Sequence, residues 1–300
     1  MNKTHACCLC GSLRNRRQYS YKDYDLCRCE ECGLGFLLPM PEIVAEQFYD
    51  EEFYRGGVEV GVAFNVLDEQ NMNEHRLGME KKISSLLSKR TVRSLLDIGC
   101  GVGLLVEAAT RHGINATGVD VSSFAIEYGR HELGLQRLFV GNPDDVLDSC
   151  ERYDVVYLNH VIEHVHDPAE LVKQCSKYLE PGGWLVIEVP DIDSTGALRK
   201  GRDWECILPA HLYYFNRSTL SALAEKQGLK VKYVEKEIDS PGFLHAACGG
   251  GGEAKEFYER WLKNAFAQLC IRQFRAVYAR VGQKIEADYE FIKVVAEKKC

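Results

Sequence analysis

From Ser94 to about Ala247, short β-branched and aliphatic runs alternate with segments of helical apolar spacing, the pattern of a parallel sheet crossed by helices. The runs predicted as strands are Ser94–Ile98, Ala116–Asp120, Arg137–Val140, Asp154–Asn159, Trp184–Val189, Lys230–Glu235 and Phe243–Ala247. Asp167-Pro168 reads as a cap followed by a first-turn proline. The helix it opens presents Leu171, Val172, Cys175, Tyr178 and Leu179 on one face and ends at Pro181-Gly182-Gly183. Upstream, Met72, Leu77, Met79, Ile83, Leu86 and Leu87 form a second helical face over 72–89. The aromatic and acidic stretch Phe48-Tyr49-Asp50-Glu51-Glu52-Phe53-Tyr54 reads as a connecting segment or lid with short helices. After Gly249 to Gly252, an apolar stripe from Phe257 through Trp261, Phe266 and Phe274 to Val281 predicts a long helical region. The chain thus divides into 1–40, a connecting 41–90, a sheet domain over 91–248 and a C-terminal helical region over 253–300, whose stripe suits core or homodimer contact.

Composition adds constraints. Three hundred residues with 37 Lys+Arg, 44 Asp+Glu and 46% hydrophobic content describe a globular chain of formal charge −7. That balance argues against a broad nucleic-acid surface. No apolar run approaches the roughly 20 residues of a membrane span, and the N-terminus has no signal-type apolar region, so a cytoplasmic location is expected. Thirteen cysteines stand out, six of them lying between Cys7 and Cys32 inclusive. Their odd number and uneven spread do not suit a disulfide framework. Cys7 and Cys10 form one C-x-x-C and Cys29 and Cys32 another, the spacing of a structural zinc site. Gly11 and Gly33 follow the pairs and let the backbone fold back toward the thiolates. Cys8 and Cys27 are spare, and Cys100 serves only as a small residue.

The apolar run Leu95-Leu96-Asp97-Ile98 leads into Gly99-Cys100-Gly101-Val102-Gly103 and then a helix, the strand–turn–helix context of a nucleotide loop. The loop is G-x-G-x-G preceded by an acid, which a pyrophosphate would not tolerate and a cationic ligand would. Asp120 stands at the end of the next strand after Asp97, placed to bridge two ribose hydroxyls.

Leu95–Gly103 with Gly118-Val119-Asp120-Val121-Ser122 resembles the class I S-adenosylmethionine-dependent methyltransferases. Tyr153–Val165 resembles that family's fourth-strand motif, and Leu179–Leu185 its turn into the fifth strand. The likeness covers about residues 75–247. The four-cysteine front together with Ala210-His211-Leu212-Tyr213-Tyr214-Phe215-Asn216 further resembles bacterial sugar and natural-product methyltransferases. The resemblance implies a Rossmann-like seven-stranded sheet, α/β, with a small N-terminal zinc-binding module and a terminal antiparallel hairpin. It implies that Asp97, Gly99, Gly101 and Gly103 surround the methionine part of the cofactor and that Asp120 and the adjoining Val121 hold the ribose. Asn142 falls where many members place an aspartate near adenine, and Asn159, closing the fourth strand, is a further expected cofactor contact.

Histidine suits proton removal from an acceptor, since its ordinary pKa is about 6.5. His211 matches the proposed base of sugar C-methyltransferases, but Ala210 replaces their preceding glutamate, so O-methylation of a small-molecule hydroxyl is expected. His160, or Asn159, would line the acceptor pocket. His160, Glu163 and His164 fall on one face if the segment turns helical. With His211 they resemble the metal cluster of RNA 2′-O-methyltransferases, His160 standing where those enzymes have glutamate, although the role expected first for Glu163 and His164 is packing of a strand-to-helix corner. Trp204, Tyr213 and Tyr214 would wall the acceptor. Two other readings are open: an RNA methyltransferase that touches phosphate through Arg14, Arg16 and Arg17, and a non-catalytic zinc-bearing adaptor. Residues 1–40 hold only 6 Lys+Arg to 4 Asp+Glu, which disfavours the first.

Overall fold

The computed structural model describes residues 5–42, 49–55, 65–237 and 290–299. At the front, β1 (Asn15–Ser20), β2 (Asp25–Cys29) and β3 (Gly35–Leu38) form an antiparallel meander. Two helices follow, α1 (Glu51–Arg55) and α2 (Glu69–Leu87), the second capped by the Asp68 side chain. The sheet domain then runs β4 (Ser94–Ile98), α3 (Leu104–Arg111), β5 (Asn115–Asp120), α4 (Ser123–His131), β6 (Leu138–Val140), α5 (Pro143–Val146), β7 (Tyr153–Asn159), α6 (Pro168–Lys177) and β8 (Leu179–Pro190). It ends with α7 (Thr195–Lys200), β9 (Tyr213–Tyr214), α8 (Arg217–Lys226), β10 (Lys230–Glu237) and β11 (Phe291–Glu297).

Among the described residues the large sheet has the order β10-β11-β8-β7-β4-β5-β6. The five strands from β8 to β6 in that order are mutually parallel, and β11 and β10 are antiparallel additions at the far edge. Leu95, Leu96, Val155, Val156, Tyr157, Leu158, Val186 and Ile187 are buried on both faces, as a parallel sheet sandwiched by helices requires. On one face lie Ile83 and Leu86 of α2, Leu105 and Val106 of α3 and Ile126 of α4. On the other lie Leu171, Val172 and Cys175 of α6 and Leu220 and Leu223 of α8. The chain leaves β4 toward β5 on one side and returns to β7 on the other. The carboxyl ends of β4, β5 and β7 therefore open onto a crevice at a topological switch point, where α/β sheets bind ligands.

Two features differ from the sequence expectation. The edge hairpin closes with Phe291–Glu297, inside the region read as helical; residues 253–289 of that region, and the candidate strand Phe243–Ala247, lie outside the described residues. Phe291, Ile292, Val294, Val295 and Ala296 are all buried, because β8 and β10 flank the strand and both its faces are covered. An apolar run with two covered faces carries no alternation to mark it as β. The cysteine-bearing front is also not a separate body. Strand β9 pairs with β3, Gly35 opposite Tyr214 and Phe36 opposite Tyr213, and makes the small sheet four-stranded. Leu9, Leu34 and Phe36 join the same core as Phe215 and Leu220.

Candidate active site

The loop after β4 turns through three glycines at left-handed angles, Gly99 at φ 73°, Gly101 at 54° and Gly103 at 89°. Space is as restrictive as conformation: a Cβ on Gly99 would stand 2.5 Å from Val161 Cγ2. The turn is tied to β5, since Gly101 N–H donates to Asp120 Oδ2 at 2.8 Å and Ser122 N–H to Oδ1 at 2.8 Å. A carboxylate has about four acceptor positions, so Asp120 keeps capacity for hydroxyl donors. Asp97 is 2% exposed and its Oδ1 has no hydrogen-bond partner. Burial, with nearby Asp120 adding to it, pushes the Asp97 carboxyl well above its usual range. A buried carboxylate in this state is stabilised by any cation that enters. The Asn159 Oδ1 at the end of β7 is likewise buried without a partner. These orphaned oxygens and the glycine cradle fit a ligand carrying positive charge, as S-adenosylmethionine does in its ammonium and sulfonium groups. Val121 is half-buried beside Asp120. Asn142 is exposed at the head of α5, where its amide reaches Asp145 at 3.3 Å.

Sequence reasoning did not single out Tyr49 and Tyr54 from the lid as site residues. Tyr54 packs with Val102, Leu104 and Ala125, its hydroxyl 3.5 Å from where a Cβ on Gly101 would stand. Tyr49 accepts from Ser122 Oγ at 2.5 Å through its carbonyl, and its own hydroxyl lies 3.0 Å from His164 Nδ1. The aromatic and acidic cluster at 48–54 was the available signal, but aromatic clustering does not say what is covered.

Four side chains converge beyond β7. His160, at φ 55°, donates its backbone N–H to the Glu188 carbonyl, and its Nδ1 stands 3.4 Å from Glu163 Oε1. His164 Nε2 lies 3.8 Å from the same oxygen. The His164 and His211 rings meet edge to face at 4.7 Å. The Glu163 carbonyl accepts from Leu212 N–H at 2.8 Å and Tyr213 N–H at 3.1 Å, which fastens the His211 loop to the end of β7. Burial, with His164 beside it, drops the His211 imidazole to about 3, so it is neutral. Burial pushes the Glu163 carboxyl up, but the surrounding histidines outweigh that and set it at about 2. Of the aromatics near this cluster, Trp204 is buried and donates to Glu290 Oε2 at 2.9 Å, and Tyr213 and Tyr214 are buried core residues whose hydroxyls reach the His166 and Leu208 carbonyls.

At the front, the Cys7 and Cys32 sulfurs are 3.5 Å apart, as are those of Cys10 and Cys29, and all four lie within 4.8 Å of one another. Tetrahedral zinc with bonds of about 2.3 Å sets sulfurs about 3.8 Å apart, so the donor set fits that ion. Gly11 N–H and Gly33 N–H close the two turns on the Cys7 and Cys29 carbonyls.

Residues 72–234, just over half of the chain, match the family model described as a methyltransferase domain. A ubiquinone biosynthesis O-methyltransferase of Coxiella burnetii is 34% identical over 97 residues, covering 31% of this chain and 42% of that protein. The relative of the same name from Hydrogenovibrio crunogenus is 28% identical over 173 residues, 54% of this chain and 70% of that protein. The chain thus spans less than half the length of the Coxiella relative. Among solved structures, Haemonchus contortus phosphoethanolamine N-methyltransferase 2, in complex with S-adenosyl-L-methionine, superposes with a TM-score of 0.52 at 19% identity. The match covers 94% of this chain and 70% of that one, and shows a shared fold.

Proposed function

This chain belongs to the methyltransferase-domain family, and from that premise we propose that it is an S-adenosylmethionine-dependent O-methyltransferase acting on a small-molecule hydroxyl. A sugar, a polysaccharide precursor or another natural product is the proposed acceptor. The observation that carries the reading is the buried, unpartnered Asp97 beside three left-handed glycines at the switch point. Asp97, Gly99, Gly101 and Gly103 would hold the methionine part, Asp120 and Val121 the ribose, Asn142 the adenine side and Asn159 the acceptor side. When bound, S-adenosylmethionine supplies a methyl group already activated on a sulfonium, whose sulfur keeps the electron pair of the broken bond.

The chain itself then has two tasks. The first is alignment, for which positioning is worth roughly 7–11 kcal/mol. The second is removing the hydroxyl proton, worth a factor of about 10²–10⁴. His160 is the better placed for it. Its Nδ1 stands 3.4 Å from the Glu163 carboxylate, and Nε2 is the atom proposed to take the acceptor proton, as in other carboxylate–histidine pairs. His211, expected as the base, is deeply buried with Nδ1 against the Cys206 carbonyl at 2.8 Å, and its burial disfavours the protonated form. Cys7, Cys10, Cys29 and Cys32 are proposed to hold a structural zinc ion that keeps the small sheet beside this site.

Calorimetry of S-adenosylmethionine with the intact chain tests the cofactor claim: one site per chain is expected, lost in Asp97→Ala, and no heat from the wild type overturns it. Mass spectrometry of methylated small molecules from cells with and without the gene then identifies the acceptor. Phenolic acceptors belong in that screen beside sugars, given the name of the Coxiella relative. Of the arginines that the RNA reading would use, Arg14 pairs with Glu31 at 2.9 Å and Arg17 with Asp25 at 3.5 Å, which favours the small-molecule reading.

A further inference from the structure

Glu163 is 1% exposed, and neither of its carboxylate oxygens has a formed hydrogen bond. An ionised carboxylate in that position has only the neighbouring imidazoles to offset its desolvation. The groups facing it are the ones that would accept a cation. His164 Nδ1 lies 2.9 Å from the Ala210 carbonyl, and His211 Nδ1 lies 2.8 Å from the Cys206 carbonyl. A carbonyl only accepts, so in each neutral ring Nδ1 carries the proton, the Tyr49 hydroxyl at 3.0 Å from His164 Nδ1 serving as a second acceptor, and Nε2 keeps a bare lone pair. A ring nitrogen donating to a backbone carbonyl while the other stays bare is the usual orientation of a metal-bound histidine. One donor atom from each of Glu163, His164 and His211 lies within 4.8 Å of the others, a spacing that one ion bonded at about 2.1 Å would draw in.

The geometry points to a divalent transition-metal site with Glu163, His164 and His211 as ligands, distinct from the four-cysteine site. Two imidazoles and a carboxylate form a borderline set suited to zinc, cobalt, iron or manganese and leave open positions on the ion. His160 remains outside the ligand set, its Nδ1 3.4 Å from Glu163 Oε1, where it orients the carboxylate. The ligands come from two segments already locked together by the Leu212 and Tyr213 hydrogen bonds to the Glu163 carbonyl, so little ordering is left for the ion to impose. This assignment rests on the reading of the cleft as a methyl-transfer site only for its purpose. An oxygen of the acceptor entering an open position would give up its proton to His160 at lower pH than His160 achieves alone. His211, set aside as the base, is thereby given a role as ligand.

Cobalt(II) distinguishes the two metal sites, because thiolate ligands give intense near-ultraviolet charge transfer and nitrogen–oxygen ligands do not. Titrating Co²⁺ into the full chain loaded with a single equivalent of zinc, which the four thiolates take first, should add weak visible absorption without thiolate bands, saturating at one equivalent. Glu163→Gln, which keeps size and shape, and His211→Ala should each weaken this binding at least tenfold. S-adenosylmethionine affinity in Glu163→Gln should stay within about threefold of wild type, which reports an intact fold. The assignment is overturned if the wild type takes up no such equivalent, or if Glu163→Gln binds it as tightly. Loss of S-adenosylmethionine binding by the wild type would instead strike the methyltransferase reading and leave the cobalt result standing.

Discussion

At the scale of single residues, Asp97 shows that a binding site and a stable fold ask for different things. Its unpartnered oxygen and raised carboxyl are useful to an incoming cation and costly without one. Asp97→Asn should therefore stabilise the ligand-free chain by about 1–3 kcal/mol while lowering S-adenosylmethionine affinity at least tenfold, as thermal melts and calorimetry with the same sample would record. Asp154 behaves oppositely. Burial pushes its carboxyl up, but the Arg93 side chain and the Arg93 and Ser94 N–H groups outweigh that and hold it below the usual range. A depressed carboxyl contributes stability above its unfolded pKa of about 3.9, and loses it as pH falls through the folded value. Asp154→Asn should accordingly cost about 1–2 kcal/mol at pH 7 and nearly nothing well below pH 3, read by denaturant titration at both pH values. The glycine loop and its two aspartates were legible in the sequence because backbone angle and spacing are local properties. Tyr49 and Tyr54 were not, since their role depends on which loop they cover.

At the scale of elements, the cysteine pairs and the histidine loop are coupled through one short strand. Strand β9 begins just after His211 and Leu212 and completes the small sheet against β3. The Leu37 N–H also donates to the Leu212 carbonyl at 3.1 Å. In Cys29→Ser/Cys32→Ser the zinc-to-protein ratio should fall by about one. Limited proteolysis should then open the chain near residues 205–212 as well as at the front, which mass mapping of the fragments would detect. Cleavage confined to the front, before Pro41, would mean that the two elements stand independently. The spacing of the four cysteines was readable because two turns hold each pair. The pairing of β3 with Tyr213–Tyr214, on the far side of the nucleotide loop in sequence, was not, because so short a strand leaves no periodicity to read.

For the whole molecule, the sheet depends on a strand that enters last. Strand β11 lies between β8 and β10 and buries Ile292, Val294, Val295 and Ala296. Ending the chain after residue 289 should expose one edge of β8, strand β10's pairing face and the apolar surface of both. Fully burying each large side chain contributes about 1.5–3 kcal/mol, so the shortened chain should be insoluble or molten, as expression and circular dichroism would reveal. No helix among the described residues is long and apolar enough to cross a membrane.

The sequence alone determined the alternation of strands and helices, the glycine loop with Asp97 and Asp120 beside it, and the four cysteines with zinc spacing. Each rests on periodicity, backbone conformation or separation along the chain, which neighbours in space do not alter. Tertiary structure decided that the edge hairpin is closed by residues 291–297 and that the aromatics near His211 are core. It also brought His160, Glu163, His164 and His211 around one buried carboxylate. Burial and mutual distance are properties of the folded chain as a whole. They set which histidine keeps a bare nitrogen, which carboxylate lacks a partner, and so where a cation belongs.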